Sequence, residues 1–113
     1  MKSITQAQAN SFSNSPTCYG EEYNFNDKDL NIALITVNGR YPEAGFATNE
    51  VCKEISYVVS GSGSVHTEHE SLELHPGDAI MLQPGEKFYW EGKNMRMIMP
   101  CSPSFYPEQH KVV

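Results

Sequence analysis

The stretch TNEVCKEISYVVSGSGSVHTEHESLELHPGDAIMLQPGEKF, residues 48–88, decides the fold. Short runs of β-branched, aromatic and aliphatic residues are broken by turn residues at intervals of about eight to twelve, the pattern of successive short strands. In Gly61-Ser62-Gly63, glycine supplies positive φ or a close backbone approach that other residues tolerate poorly, and a turn is expected there. In His75-Pro76-Gly77-Asp78, proline fixes φ and glycine takes the sharp corner, and Gln83-Pro84-Gly85 repeats the device. Glu68-His69 falls at a hairpin tip.

Outward from this stretch the reading stays the same. Strands are predicted at residues 21–25, 31–37, 48–51, 55–59, 64–67, 71–74, 79–82, 88–91 and 95–99, the second ending on the turn signal Asn38-Gly39. Regular short strands without long helical periodicity predict an all-β protein, a closed barrel or sandwich. The expected organisation is an N-terminal arm or short helix over residues 1–18, a barrel over 19–100, and an extended tail over 101–113. Pro100, Pro103 and Pro107 bias their predecessors in that tail away from helix.

Composition narrows the function classes. The 113 residues, 39% of them apolar, suit one core. A net charge of -6 with eight scattered basic residues argues against a nucleic-acid partner. The longest apolar runs, such as 32–37 and 79–82, are far too short to span a bilayer, so no membrane partner is expected. The first fifteen residues lack the apolar stretch of a secretory signal, and a cytoplasmic address is expected. Cys18, Cys52 and Cys101 show no paired spacing, so reduced thiols are expected, with Cys52 a small apolar filler.

The pattern E(x6)GxG at Glu54, Gly61 and Gly63, followed by Pro76-Gly77-Asp78 and Pro84-Gly85, resembles the cupin superfamily over residues 40–99. The resemblance implies a single-domain, cupin-type antiparallel β-barrel, jelly-roll-like, and a homodimer. Cupins present three histidines and a carboxylate to the lumen, where these ligands hold a divalent ion. The family's first motif, G(x5)HxH(x3,4)E(x6)G, aligned on Glu54, places its histidines on Thr48 and Glu50. The second motif, aligned on Gly77 and Gly85, places its histidine on Phe88. The metal-binding motifs are therefore degenerate. Two carboxylates, a hydroxyl and a phenyl ring disfavour a transition metal, and no cofactor is expected.

What remains is a lumen with an acidic wall and an aromatic wall. Glu50 and Glu54 are expected to face inward together, and two close buried acids push one pKa upward, which suits general acid or base catalysis. Phe88 and Trp90 share a strand face by alternation, with Tyr89 on the other. Arg40, Thr48, Tyr57, Phe88 and Trp90 are the candidate ligand contacts. Alternation with Val65 turns His66 outward, and His69, His75 and His110 read as solvated surface residues. The bland alternative pairs Glu50 with Arg40 or Lys53, holds Glu54 with backbone amides, and fills the barrel with rings and Met95, Met97 and Met99. Three functions follow: a metal-independent binder of a small polar metabolite; an isomerase, lyase or epimerase acting on a sugar or keto acid through Glu50 or Glu54; or a structural or regulatory module with a filled lumen.

Overall fold

A computed structural model describes residues 1–113. Strand β1 (Asn10–Ser15) forms a hairpin with β2 (Cys18–Tyr23), which pairs with β3 (Asn31–Tyr41). β3 pairs with β8 (Lys87–Ser102), which also pairs with β4 (Ala47–Asn49) and β5 (Lys53–Thr67). β6 (Ser71–Leu74) and β7 (Ala79–Leu82) lie along the two halves of β5, and β9 (His110–Val112) closes on β4. Every pairing is antiparallel, and the sheet curls into a barrel, as the turn spacing predicts.

The turns after β6 and β7 follow the sequence closely. Gly77 and Gly85 take φ of +93° and +82°. Each turn is closed by a downstream acid: the backbone N–H of His75 donates to Asp78 Oδ2 at 2.8 Å, and that of Gln83 to Glu86 Oε2 at 2.8 Å.

Two expected turns are bulges instead. Gly61-Ser62-Gly63 and Asn38-Gly39 lie inside continuous strands, so predicted strands 55–59 and 64–67 merge in β5 and 88–91 and 95–99 merge in β8. Glycine marks a bulge as readily as a turn, and periodicity alone does not separate them. Pairing of β5 with β8 shifts between Val58 and Ser60 and again between Ser60 and Ser62, and pairing of β3 with β8 shifts between Val37 and Gly39. At the bend Gly61 has φ +74°, and a Cβ on it would fall onto the Asn94 carbonyl oxygen of β8.

The bulges decide what faces inward. β5 buries Ser56 and Val58 on one side of the bend and Val65 on the other, a change from even to odd positions. β8 buries Phe88 and Trp90, then Met95, Met97, Met99 and Cys101, the same change in register. Met95, Met97, Val37 and Val58, all fully buried, fill one half of the barrel.

The ends of the chain also depart from expectation. The first eighteen residues carry one 3-10 turn, Gln6–Gln8, and then the largely polar strand β1, held by its ladder to β2 with Phe12 half-buried on its inner face. The tail is part of the barrel. β8 runs on to Ser102, a second 3-10 turn covers Pro107–Gln109, and β9 pairs with β4 once the chain is past its prolines and has N–H groups to donate. No helix is long and apolar enough to cross a membrane.

Gly61→Ala should destabilise the protein by more than about 3 kcal/mol in urea unfolding, because a left-handed backbone and a backbone clash coincide there. Gly77→Ala, with open space around the same kind of φ, should lose only about 1–2 kcal/mol.

Candidate active-site cavity

The half of the barrel that the methionines leave free holds a cavity of about 220 Å³. Its walls come from nearly every long strand: Glu22 of β2, Asn31 and Tyr41 of β3, Asn49 of β4, Glu54 of β5, and Phe88, Trp90 and Cys101 of β8. Phe105, Pro107 and His110 of the tail complete it. Phe88 and Trp90 meet edge to face with centroids 5.8 Å apart, a rigid aromatic wall.

Glu54 is the first inward residue of β5, opposite Cys101 on one side and Leu82 on the other. No cation or hydrogen-bond donor compensates it. Burial, and then the charge of nearby Cys52, push its carboxyl up to about 8, so it holds a proton at neutral pH. The neighbouring thiols of Cys52 and Cys101 shift each other, Cys52 down and Cys101 up, and the Cys101 thiol donates to the Pro103 carbonyl at 3.2 Å. All three cysteines are buried and unpaired.

Across the cavity runs a hydrogen-bonded relay. Tyr41 Oη lies 2.8 Å from His110 Nε2, and His110 Nδ1 lies 2.8 Å from Asn49 Oδ1. Because Asn49 Oδ1 only accepts, Nδ1 carries the imidazole proton and Nε2 accepts from the tyrosine hydroxyl. Burial lowers the His110 pKa, which keeps the ring neutral, and it pushes Tyr41 up to about 12, with a smaller contribution from Cys18. The rings stack at 12° with centroids 6.1 Å apart. β9 makes this possible, since its pairing sets His110 directly opposite Asn49.

Of the residues singled out in the sequence, Glu54, Phe88 and Trp90 line this cavity, and Glu50, Thr48, Tyr57 and Arg40 do not. β4 turns Ala47 and Asn49 inward, so Thr48 faces the other way, its hydroxyl buried without a partner. Glu50 has already left the strand, is exposed, and donates its backbone N–H to the Gln109 carbonyl at 3.0 Å. The longer spacing permitted between the second histidine and the glutamate of the resembled motif applies here, and the inward position is Asn49. Tyr57 is 46% exposed on the outer face. Arg40 lies outside as well, its guanidinium 4.0 Å over the Tyr89 ring and donating to the Glu43 and Gly45 carbonyls. Glu50 forms a salt bridge with neither Arg40 nor Lys53. His110, read as a surface residue, sits in the cavity wall. The second acid of the lumen is Glu22, two residues beyond Gly20 and four beyond Cys18 on the inward face of β2.

At the motif positions of the resembled family only Glu54 and the Asn49 amide are aimed inward, with the Asn49 Oδ1 already bonded to His110, and no three His, Cys, Asp or Glu side chains are arranged to hold a metal ion. This donor set does not fit a divalent ion held by protein ligands.

A curled antiparallel barrel with its pocket inside the lumen is the architecture of the cupins, and the chain is a small cupin-fold protein. Solved structures agree. Pac13, a nucleoside dehydratase, superposes with a TM-score of 0.86 at 20% identity, over 100% of this chain and 91% of that one. A variant of Streptomyces Pac13 determined with uridine gives 0.87 at 20% identity, over 100% and 90% of the two chains. KdgF from Halomonas gives 0.73 at 20% identity over 89% and 94%. No protein-family model and no curated protein sequence matches the chain.

A carboxyl with its folded pKa above its unfolded value favours the folded state below the unfolded value and progressively loses that advantage up to the folded one. Wild type should therefore lose stability relative to Glu54→Gln between about pH 4.5 and about 8, by a few kcal/mol, in thermal melts across that range. Long-range ¹⁵N correlation spectra should show His110 protonated at Nδ1, and Asn49→Ala should remove that preference.

Proposed function

We propose that the protein binds a small, ring-bearing polar metabolite in this cavity and eliminates or isomerises it by general acid–base catalysis. The observation that carries the reading is Glu54: a buried, uncompensated carboxyl with a pKa pushed up to about 8, facing an aromatic wall inside a cavity large enough to admit a ligand. A structural module with a filled lumen would have no such space. An acid that holds its proton near neutral pH and can still release it is matched to proton transfer.

The two walls divide the work. For an elimination, the Tyr41 oxygen takes a proton from carbon as its own proton passes to His110 Nε2. Glu54 gives its proton to the departing hydroxyl. The carbon–hydrogen and carbon–oxygen bonds break, a double bond forms, and water leaves. Return of the His110 proton to Glu54 through solvent resets the site. The Phe88 and Trp90 rings hold a planar or ring-shaped substrate between these groups. Isomerisation uses the same two positions, with the second proton returned to a neighbouring carbon. The likeness to a nucleoside dehydratase with the same fold supports an elimination on a nucleoside- or sugar-like ring.

Trp90 is the chain's single tryptophan, so its emission reports occupancy directly. Nucleosides and carbonyl-bearing sugars incubated in D₂O should include compounds that shift Trp90 emission and exchange carbon-bound hydrogen for deuterium by NMR. Glu54→Gln should slow net turnover at least about 100-fold, and Tyr41→Phe should slow the exchange itself, both without loss of binding. Binding with no exchange across the panel would leave a binder and remove the catalytic reading.

A further inference from the structure

The cavity's charge inventory reaches further than its shape. None of the eight Lys and Arg residues lines it. Arg40 is committed to the outer face of Tyr89, Lys2 donates to the Phe25 carbonyl, and Lys87 lies 4.0 Å from Glu68. The remaining five, Lys28, Lys53, Lys93, Arg96 and Lys111, are exposed and none faces the lumen. No α-helix N-terminus substitutes for a cation, because the only helical segments are two three-residue 3-10 turns, and the one that reaches the cavity begins on Pro107, which has no N–H to donate. His110, the one imidazole present, is occupied at both nitrogens.

Against this stand two acids. Glu22 and Glu54 both face the cavity, and the charge of each reaches the Cys101 thiol in its wall. Glu22 forms no salt bridge. Its place is fixed by Gly20, two residues earlier, where β2 lies so close on β3 that a Cβ would fall onto the Leu34 carbonyl oxygen. The neutral groups nearby present donors. Asn31 Oδ1 accepts the Phe105 N–H at 3.1 Å and Asn49 Oδ1 accepts from His110, which leaves each Nδ2 for a ligand.

Building on the proposed use of this cavity as the binding site, we infer that it selects an uncharged polyhydroxylated or amine-bearing ring and rejects the phosphorylated or carboxylated form, with Glu22 setting the selection. The Glu22 carboxylate accepts two adjacent hydroxyls or one ammonium, and the Asn31 and Asn49 amides meet ring carbonyls or hydroxyl oxygens. A phosphate brought to the same place finds no cation, loses its water, and lies beside an acid in a low-dielectric enclosure. The reaction that supplies the substrate must therefore deliver it dephosphorylated.

The test uses matched probes read by Trp90 emission: uridine, 5′-amino-5′-deoxyuridine and uridine 5′-monophosphate, and in parallel glucose, glucosamine and glucose 6-phosphate. The neutral or amine-bearing member of at least one set should bind, and its phosphate should bind at least about 100-fold more weakly. Glu22→Gln should narrow that gap about tenfold or more, and Glu22→Lys should reverse its order, with circular dichroism confirming the fold. A phosphate that binds as tightly as its neutral counterpart overturns the inference. So does the failure of every neutral and amine-bearing probe in both sets to bind, or a gap untouched by both Glu22 variants. Because these are binding measurements, absent deuterium exchange alongside an intact charge order would remove the catalytic reading alone.

Discussion

The reversal of side-chain alternation at the bend of β5 and β8 is the constraint on which the rest of the molecule depends. A strand has two faces, and one inserted residue exchanges them. Without the bulges around Gly61 and Asn94, a β8 that buries Phe88 and Trp90 would turn Met95, Met97 and Met99 to solvent. With them, one strand supplies the aromatic wall of the cavity and, past the bend, Met95 and Met97 for the packed core and Met99 and Cys101 for the cavity again. Glycine is required because the backbone is left-handed at Gly61 and because β5 passes within contact of the Asn94 carbonyl.

The cavity stands on that arrangement and opposes it energetically. Burying Glu54 without a partner penalises its charged form, so the barrel is less stable at alkaline pH than it would be with glutamine there. The packed half, with Val37, Val58, Met95 and Met97 fully buried, offsets the loss by ordinary apolar burial. The acid and the packed core share strands: Glu54 opens β5 and Val58 follows it on the same side of the bend, so the apolar burial that offsets the acid lies next to it in the chain.

Most of the fold was legible in the sequence because turns declare themselves through residue type. Strands at residues 71–74 and 79–82 appear with the predicted limits, bounded by Pro-Gly corners whose closing acids, Asp78 and Glu86, belong to the same motif. The bulges were hidden because Gly61-Ser62-Gly63 has the same composition as a turn. The candidate site was legible only in part. Glu54, Phe88 and Trp90 follow from local alternation, whereas placing Asn49 rather than Glu50 inward requires knowing where a three-residue strand stops. His110 and Tyr41 are 69 positions apart, and no local pattern reports that β9 folds back onto β4. Glu22 lies on a predicted strand, 21–25, whose inward face the residues alone do not mark, because acids and aromatics mix along it without an apolar face.

The position of β9 also sets when the cavity wall is completed during synthesis. Tyr41 and Asn49 leave the ribosome early, and the imidazole that connects them is made more than sixty residues later. Until that stretch is synthesised and docks, β4 lacks one of its two neighbours and the relay lacks its acceptor. A nascent chain can thus pair most of its sheet before the Tyr41–His110–Asn49 hydrogen bonds exist, and the cavity wall is completed only when β9 is laid down.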